Sequence, residues 1–142
     1  MTQATGITVD SVTYNVGVRY PDMRRSFEIK EGPAKGENIY GDPIRDVLGT
    51  GYSYEMTIVA IPGYQSDYDA LYQVLSSPVA SHAVTLPYGQ ETLSFDAMIE
   101  SGNDVNYGIE AGINEWSELT IKFTPFHLQR RATWLLIGIK YK

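Results

Sequence analysis

The stretch from Ser66 to Met98 constrains the fold more than any other, because it joins the chain's clearest amphipathic helical pattern directly to its clearest hairpin pattern. Ser66 has a side chain favoured at helix N-caps, Asp67 and Asp69 bring negative charge to the first turn, and Tyr68, Leu71, Tyr72 and Leu75 recur at i, i+3, i+4 and i+7. This spacing predicts one apolar stripe on a helix. Ser76, Ser77 and Pro78 end it, since a residue before proline is pushed out of the α region. Ser81 to Leu86 then reads as a strand and Leu86-Pro87-Tyr88-Gly89 as a type I turn. In the return strand, Leu93, Phe95, Ala97 and Ile99 alternate with Thr92, Ser94, Asp96, Met98 and Glu100, so the hairpin buries one face.

The remaining chain reads as strand and loop. Val12, Tyr14, Val16 and Val18 alternate with polar or small residues over Ser11 to Arg19, and Phe27 and Ile29 share a face in Arg24 to Lys30, a spacing that suits a hairpin between the two. Residues 31–50 carry glycines, prolines and scattered charge without period and read as a long loop, with one helical turn at Ile44, Val47 and Leu48. Tyr52 to Ile61 is apolar enough on both faces near its end to be a central strand. Ser101 to Ile113, rich in glycine and asparagine, reads as a flexible loop. Leu119, Ile121 and Phe123 face inward in Trp116 to Phe126, and the last segment, 132–142, is apolar on both faces of a strand or arm. The expected fold is mainly β with one α-helix, a β-sandwich or small barrel flanked by that helix, in a single domain over residues 1–142.

A chain of 142 residues, 43% hydrophobic, has material for one core and is cramped for two. The absence of cysteine excludes a disulfide framework and a thiolate nucleophile. A net charge of -6 argues against a protein that grips nucleic acid by neutralising phosphates, so sequence-specific nucleic-acid binding is not expected. Met1 to Gly6 lack the basic and apolar regions of a signal peptide, and Trp134 to Ile139 is too short to cross a bilayer; an intracellular product without a membrane partner is expected.

No chemical constellation emerges. The run Gly32-Pro33-Ala34-Lys35-Gly36-Glu37-Asn38 lacks the spacing and the Gly-Lys-Ser/Thr ending of a phosphate loop. His82 and His127 have no second histidine at metal-ligand spacing and read as hydrogen-bonded structural residues. Asp96, Glu100, Asp104, Glu110, Glu115 and Glu118 match no template for paired carboxylates or calcium, and no serine sits in Gly-x-Ser-x-Gly. The expectation is a protein without catalytic, cofactor or metal residues.

One resemblance does emerge. The runs Tyr68-Asp69-Ala70-Leu71-Tyr72, Ser76-Ser77-Pro78-Val79, Ser81-His82, Leu86-Pro87-Tyr88-Gly89-Gln90 and Leu93-Ser94-Phe95 resemble a family of small prophage and phage proteins of gram-positive hosts, encoded among tail genes. The likeness extends upstream through Arg25-Ser26-Phe27 and Ile44-Arg45-Asp46-Val47-Leu48-Gly49-Thr50. Downstream it runs through Gly102-Asn103-Asp104, Trp116, Leu119 and Gln129-Arg130-Arg131, with the tail after Arg131 a departure. The resemblance implies a virion structural protein, assembled in the host cytoplasm: a tail-tube, distal-tail or baseplate subunit that forms a ring or tube with itself, hexameric by family analogy, and meets other tail proteins.

Residues expected at such an interface are Ile39, Tyr40, Ile44, Val47 and Leu48 in the long loop, and Trp134, Leu135, Leu136, Ile137 and Ile139 in the last segment, because both regions hold apolar side chains that the domain's own pattern does not bury. The alternative is a ligand-binding β-barrel, for carbohydrate, with Tyr88, Tyr107 and Trp116 as an aromatic platform. A hydrolase using Asp and Glu is a third reading.

Overall fold

The computed structural model describes the backbone of residues 2–131 and the side chains of residues 7–131. The strand or arm expected over 132–142, with Trp134, Leu135, Leu136, Ile137 and Ile139, lies outside the described residues.

Six antiparallel strands close a barrel around one core. In chain order they are β1 (Thr2–Val9), β2 (Val12–Arg19), β6 (Val47–Ala60), β7 (His82–Tyr88), β8 (Glu91–Met98) and β10 (Ile113–Pro125). In space the ring runs β1-β2-β6-β10-β8-β7 and returns to β1. Closure removes the unpaired edges that an open sheet of these strands would leave. Alternate residues point inward: Tyr14, Val16 and Val18 from β2; Tyr54, Met56 and Ile58 from β6; Leu119, Ile121 and Phe123 from β10; Val84 and Leu86 from β7. Among the described residues the fold is therefore mainly β with a single helix, as the alternation predicts.

Helix α1 (Gln65–Leu75) lies against the barrel and sends Tyr68, Leu71 and Leu75 into the core. Burial of such a side chain is worth about 1.5–3 kcal/mol, which is why this amphipathic segment stays helical against the sheet. Its start differs from expectation. Tyr64 occupies the N-cap position and makes no side-chain cap, while the Asp67 carboxylate accepts the backbone N–H of Asn15 at 2.9 Å, so first-turn charge ties the helix to β2 instead of capping it. Tyr72, expected in the buried stripe, stays partly exposed beside β10.

Four further corrections share one cause: strand pairing overrides local pattern. β2 and β3 (Arg24–Glu31) do not form a hairpin; both run antiparallel to β6, β2 against Ile58 to Ala60 and β3 against Val47 to Glu55. The expected helical turn at Ile44, Val47 and Leu48 is absent. Pro43–Ile44 (β5) pairs with Gly36–Glu37 (β4), and Val47 already belongs to β6. The expected loop 101–113 is a hairpin, β9 (Gly102–Glu110) against β10, turned by Ala111 and Gly112, both at positive φ. The β7–β8 turn falls on Gly89 and Gln90, with Gly89 at φ 59, so Pro87 remains in the strand and its carbonyl accepts the Tyr54 hydroxyl at 2.7 Å. The first strand, β1, has no counterpart in the sequence reading. It follows from the two-residue Asp10-Ser11 turn, both residues at positive φ, which folds the chain back onto β2.

Candidate functional site

Two strands are longer than the barrel needs, and their register fixes where the excess goes. Leu119 of β10 pairs with Ile58 of β6, and Phe123 pairs with Tyr54. The first half of β6 therefore runs past one end of the barrel, flanked by β3 and by β11 (Arg130–Arg131), and the first half of β10 runs past the opposite end, flanked by β9. The molecule carries two ribbons pointing in opposite directions.

The β3–β6 ribbon continues into residues 32–46, which are tied down by hydrogen bonds. The Gly32 N–H donates to the Asp46 carbonyl at 2.7 Å, the Ala34 N–H to the Asp46 carboxylate at 3.1 Å, and Arg45 pairs with Glu31 at 2.8 Å. A Cβ on Gly32 would stand 2.4 Å from the Asp46 carboxylate oxygen, so a larger residue here would have to displace that carboxylate. At the tip, Asn38 Oδ1 accepts from the N–H groups of Tyr40 and Asp42 at 2.9 and 3.0 Å, and Gly41 takes φ 83 to close the turn. This scaffold holds Ile39 91% exposed and Tyr40 82% exposed. Ile44 is exposed beside them, whereas Val47 and Leu48 are half-buried where the arm joins β6. The expected interface residues of the long loop thus divide: three on an ordered projection, two at its root.

Further exposed apolar residues, of which the sequence reading placed only Tyr107 on a surface, extend this pattern. Phe27 of β3 is 69% exposed and Ile109 of β9 is 70% exposed, with Ile29, Val105, Tyr107 and Ile113 also outside the core. Phe27 and Ile29 alternate like core residues; only their pairing with the overhanging part of β6 shows that there is no core beneath them. Among the described residues, β3 pairs only with β6 and β9 only with β10, so each presents one unpaired edge. The edges differ in charge: β3 carries Arg24, Arg25 and Lys30 with Glu28 and Glu31, and β9 carries Asp104 and Glu110 with no cation.

The aromatic platform expected from Tyr88, Tyr107 and Trp116 is divided between the two ends. Tyr88 stacks edge-on against Tyr52, ring centroids 5.2 Å apart, and donates its hydroxyl to that of Tyr52, with Arg25 over its ring. That hydrogen bond pushes the Tyr52 hydroxyl toward greater acidity and the Tyr88 hydroxyl toward less. Tyr107 and Trp116 stand together at the other end, in a depression between β10 and the start of α1. Nearby, the Tyr68 hydroxyl donates to Asp104 at 2.9 Å; burial, reinforced by that carboxylate, pushes the Tyr68 pKa up and keeps the proton on the tyrosine.

The histidines also divide. His82 is buried and hydrogen-bonds through Nδ1 to Asp10 at 2.8 Å, the structural role expected of it. His127 is exposed and meets the Phe126 ring edge-on. Among the described residues, no three His, Asp or Glu side chains group as a metal site, and no helix is long and apolar enough to cross a membrane. Compared with protein-family models and with curated proteins, the sequence gives no match.

Proposed function

We propose that this chain is a structural subunit of a bacteriophage tail or baseplate that associates head to tail with copies of itself into a ring or tube. The observation that carries the reading is the ordered arm at residues 32–46, which holds Ile39 and Tyr40 in water at one end of a closed barrel. Two large apolar side chains fixed by a hydrogen-bonded turn lose little freedom on docking, so they suit anchors for a partner surface. The second ribbon, at the opposite end, supplies a surface of a different kind, with Ile109 exposed and an acidic open edge. Unlike surfaces at opposite ends favour a heterologous contact, which closes as a ring or propagates as a tube. The likeness of the Tyr68 to Phe95 runs to phage tail-gene proteins supplies the biological setting, and the virion is the location it suggests.

Sedimentation of the purified full chain across a concentration series, with electron microscopy of the same samples, tests the reading. Rings or tubes are expected, sixfold if the family analogy extends so far. A protein that stays monomeric at high concentration would overturn self-assembly.

A further inference from the structure

We infer that the cleft between α1 and the β9–β10 ribbon is a binding site for neutral or amine-bearing oligosaccharides. The inference stands on a single chain and does not rest on self-association. Two adjoining depressions share Asp69 and Trp116, one of about 330 Å³ and one of about 780 Å³, both within the range of about 300–1,000 Å³ usual for small-molecule sites. Trp116 sits where they meet, partly exposed; Tyr72 lines the smaller depression and Tyr107 the larger. Partly exposed aromatic side chains along a cleft offer stacking surfaces to the apolar face of a sugar ring, and polar tips at its rim.

Hydrogen-bonding groups stand beside these rings. One Asp104 carboxylate oxygen accepts the part-buried Tyr68 hydroxyl and one Asp69 oxygen accepts from Gln65 Nε2 at 3.2 Å; among the described residues the second oxygen of each has no hydrogen-bond partner. Gln65 also donates to the Trp116 carbonyl at 2.9 Å, which ties the ribbon to the helix and holds the two walls in register. The Asn114 amide adds both a donor and an acceptor. Planar acceptors and amides around exposed rings match the hydroxyls of a pyranose, which offer donors and acceptors around an apolar ring face.

Charge narrows the class. With Glu110 and Glu115, four carboxylates line the two depressions, and among the described residues no lysine, arginine or histidine does. Uronate, sulfate or phosphate on a glycan would meet like charge from these carboxylates, while a neutral hydroxyl or a protonated amine would not.

Calorimetric titration of the full chain with chitotetraose, its deacetylated form, cellotetraose and tetragalacturonate tests the site. Saturable binding of at least one of the first three is expected, with none of tetragalacturonate. Trp116→Ala should weaken that binding at least tenfold. Because this variant also removes packing at the ribbon, Tyr72→Ala and Asp69→Asn, which alter only partly exposed helix positions, should each weaken it at least threefold with an unchanged circular dichroism spectrum. Preference for tetragalacturonate, equal affinity in the Tyr72 and Asp69 variants, or no saturable binding of any of the four would overturn the inference.

Discussion

The side-chain amide of Gln129 pairs with the main chain of Tyr52 as a neighbouring strand would: Gln129 Oε1 accepts the Tyr52 N–H and Gln129 Nε2 donates to the Tyr52 carbonyl, both at 2.8 Å. The contact lies just beyond the barrel, where β6 no longer has β10 beside it, and it brings Arg130 and Arg131 back onto β6 as β11. Gly51 and Gly49 leave the room for this return, since a Cβ on Gly49 would stand 2.5 Å from the Arg130 carbonyl.

Gln129→Ala should therefore release the segment after Pro125 from β6. Two half-buried hydrogen bonds at about 0.5–1.5 kcal/mol each predict a loss of roughly 1–3 kcal/mol. Hydrogen exchange should speed up selectively at the Tyr52 amide. An unchanged exchange rate there would show that the pairing contributes nothing to the order of the arm's root.

Leu71→Ala should destabilise the domain by about 2–5 kcal/mol, since Leu71 is fully buried between helix and barrel and leaves a cavity. Phe95→Ala should cost less than a fully buried aromatic would, because Phe95 is only half-buried where it stacks on Tyr54 at 5.9 Å. With its larger side chain only half removed from water, Phe95→Ala is expected to cost less than Leu71→Ala, and denaturant melts of the two variants check that order. Equal or reversed losses would mean that the helix packs more loosely than the core residues indicate.

The contrast between these two positions explains what the sequence disclosed. Leu71, Ile58 and Phe123 were legible because one side of each element is buried, so hydrophobic period reports geometry. β9 was missed although Val105, Tyr107 and Ile109 alternate with Asn106, Gly108 and Glu110: its glycines and asparagines read as loop signals, and the strand, exposed along almost its whole length, owes its extended form to pairing with β10. Ile39 and Tyr40 could be identified as apolar residues in an aperiodic segment, but the hydrogen bonds of Asn38 and Asp46 that stiffen the segment could not. The aromatic cleft was legible only in part. Tyr72 fits the helical stripe as well as Tyr68 does, and no local signal separates Tyr88, at one end of the barrel, from Trp116, at the other.

The Asp10–His82 contact predicts a pH dependence. The hydrogen bond from His82, helped by that from the Ala83 N–H, holds the Asp10 carboxyl below its ordinary value of 3.8. A carboxyl with a lower pKa folded than unfolded contributes stability that is complete above the unfolded value and is lost as pH falls through the folded one. Acid should therefore weaken the join between β1 and β7 below about pH 4, the unfolded carboxylate range. Asp10→Asn, which tolerates the positive φ of 50 at this turn, should flatten that part of the stability profile. Superimposable acid melts of the two proteins would count against the contact as a stabiliser.

Ile39→Asp with Tyr40→Ser separates assembly from folding. Both side chains stand in water at the tip of the arm, so neither removes core contacts, and stability should stay within about 0.5 kcal/mol of the parent. The turn itself should persist, because Asn38 holds it through the backbone N–H groups of Tyr40 and Asp42, which the substitutions leave in place. Association should weaken sharply, since anchors of this size commonly contribute 2 kcal/mol or more each at an interface, roughly a thirtyfold change in affinity per residue. Sedimentation should then give a folded monomer at concentrations where the parent forms larger species. If the double variant assembled as the parent does, the arm would not be the contact, and the exposed Phe27 and Ile109 of the two open-edged strands would be the next residues to change.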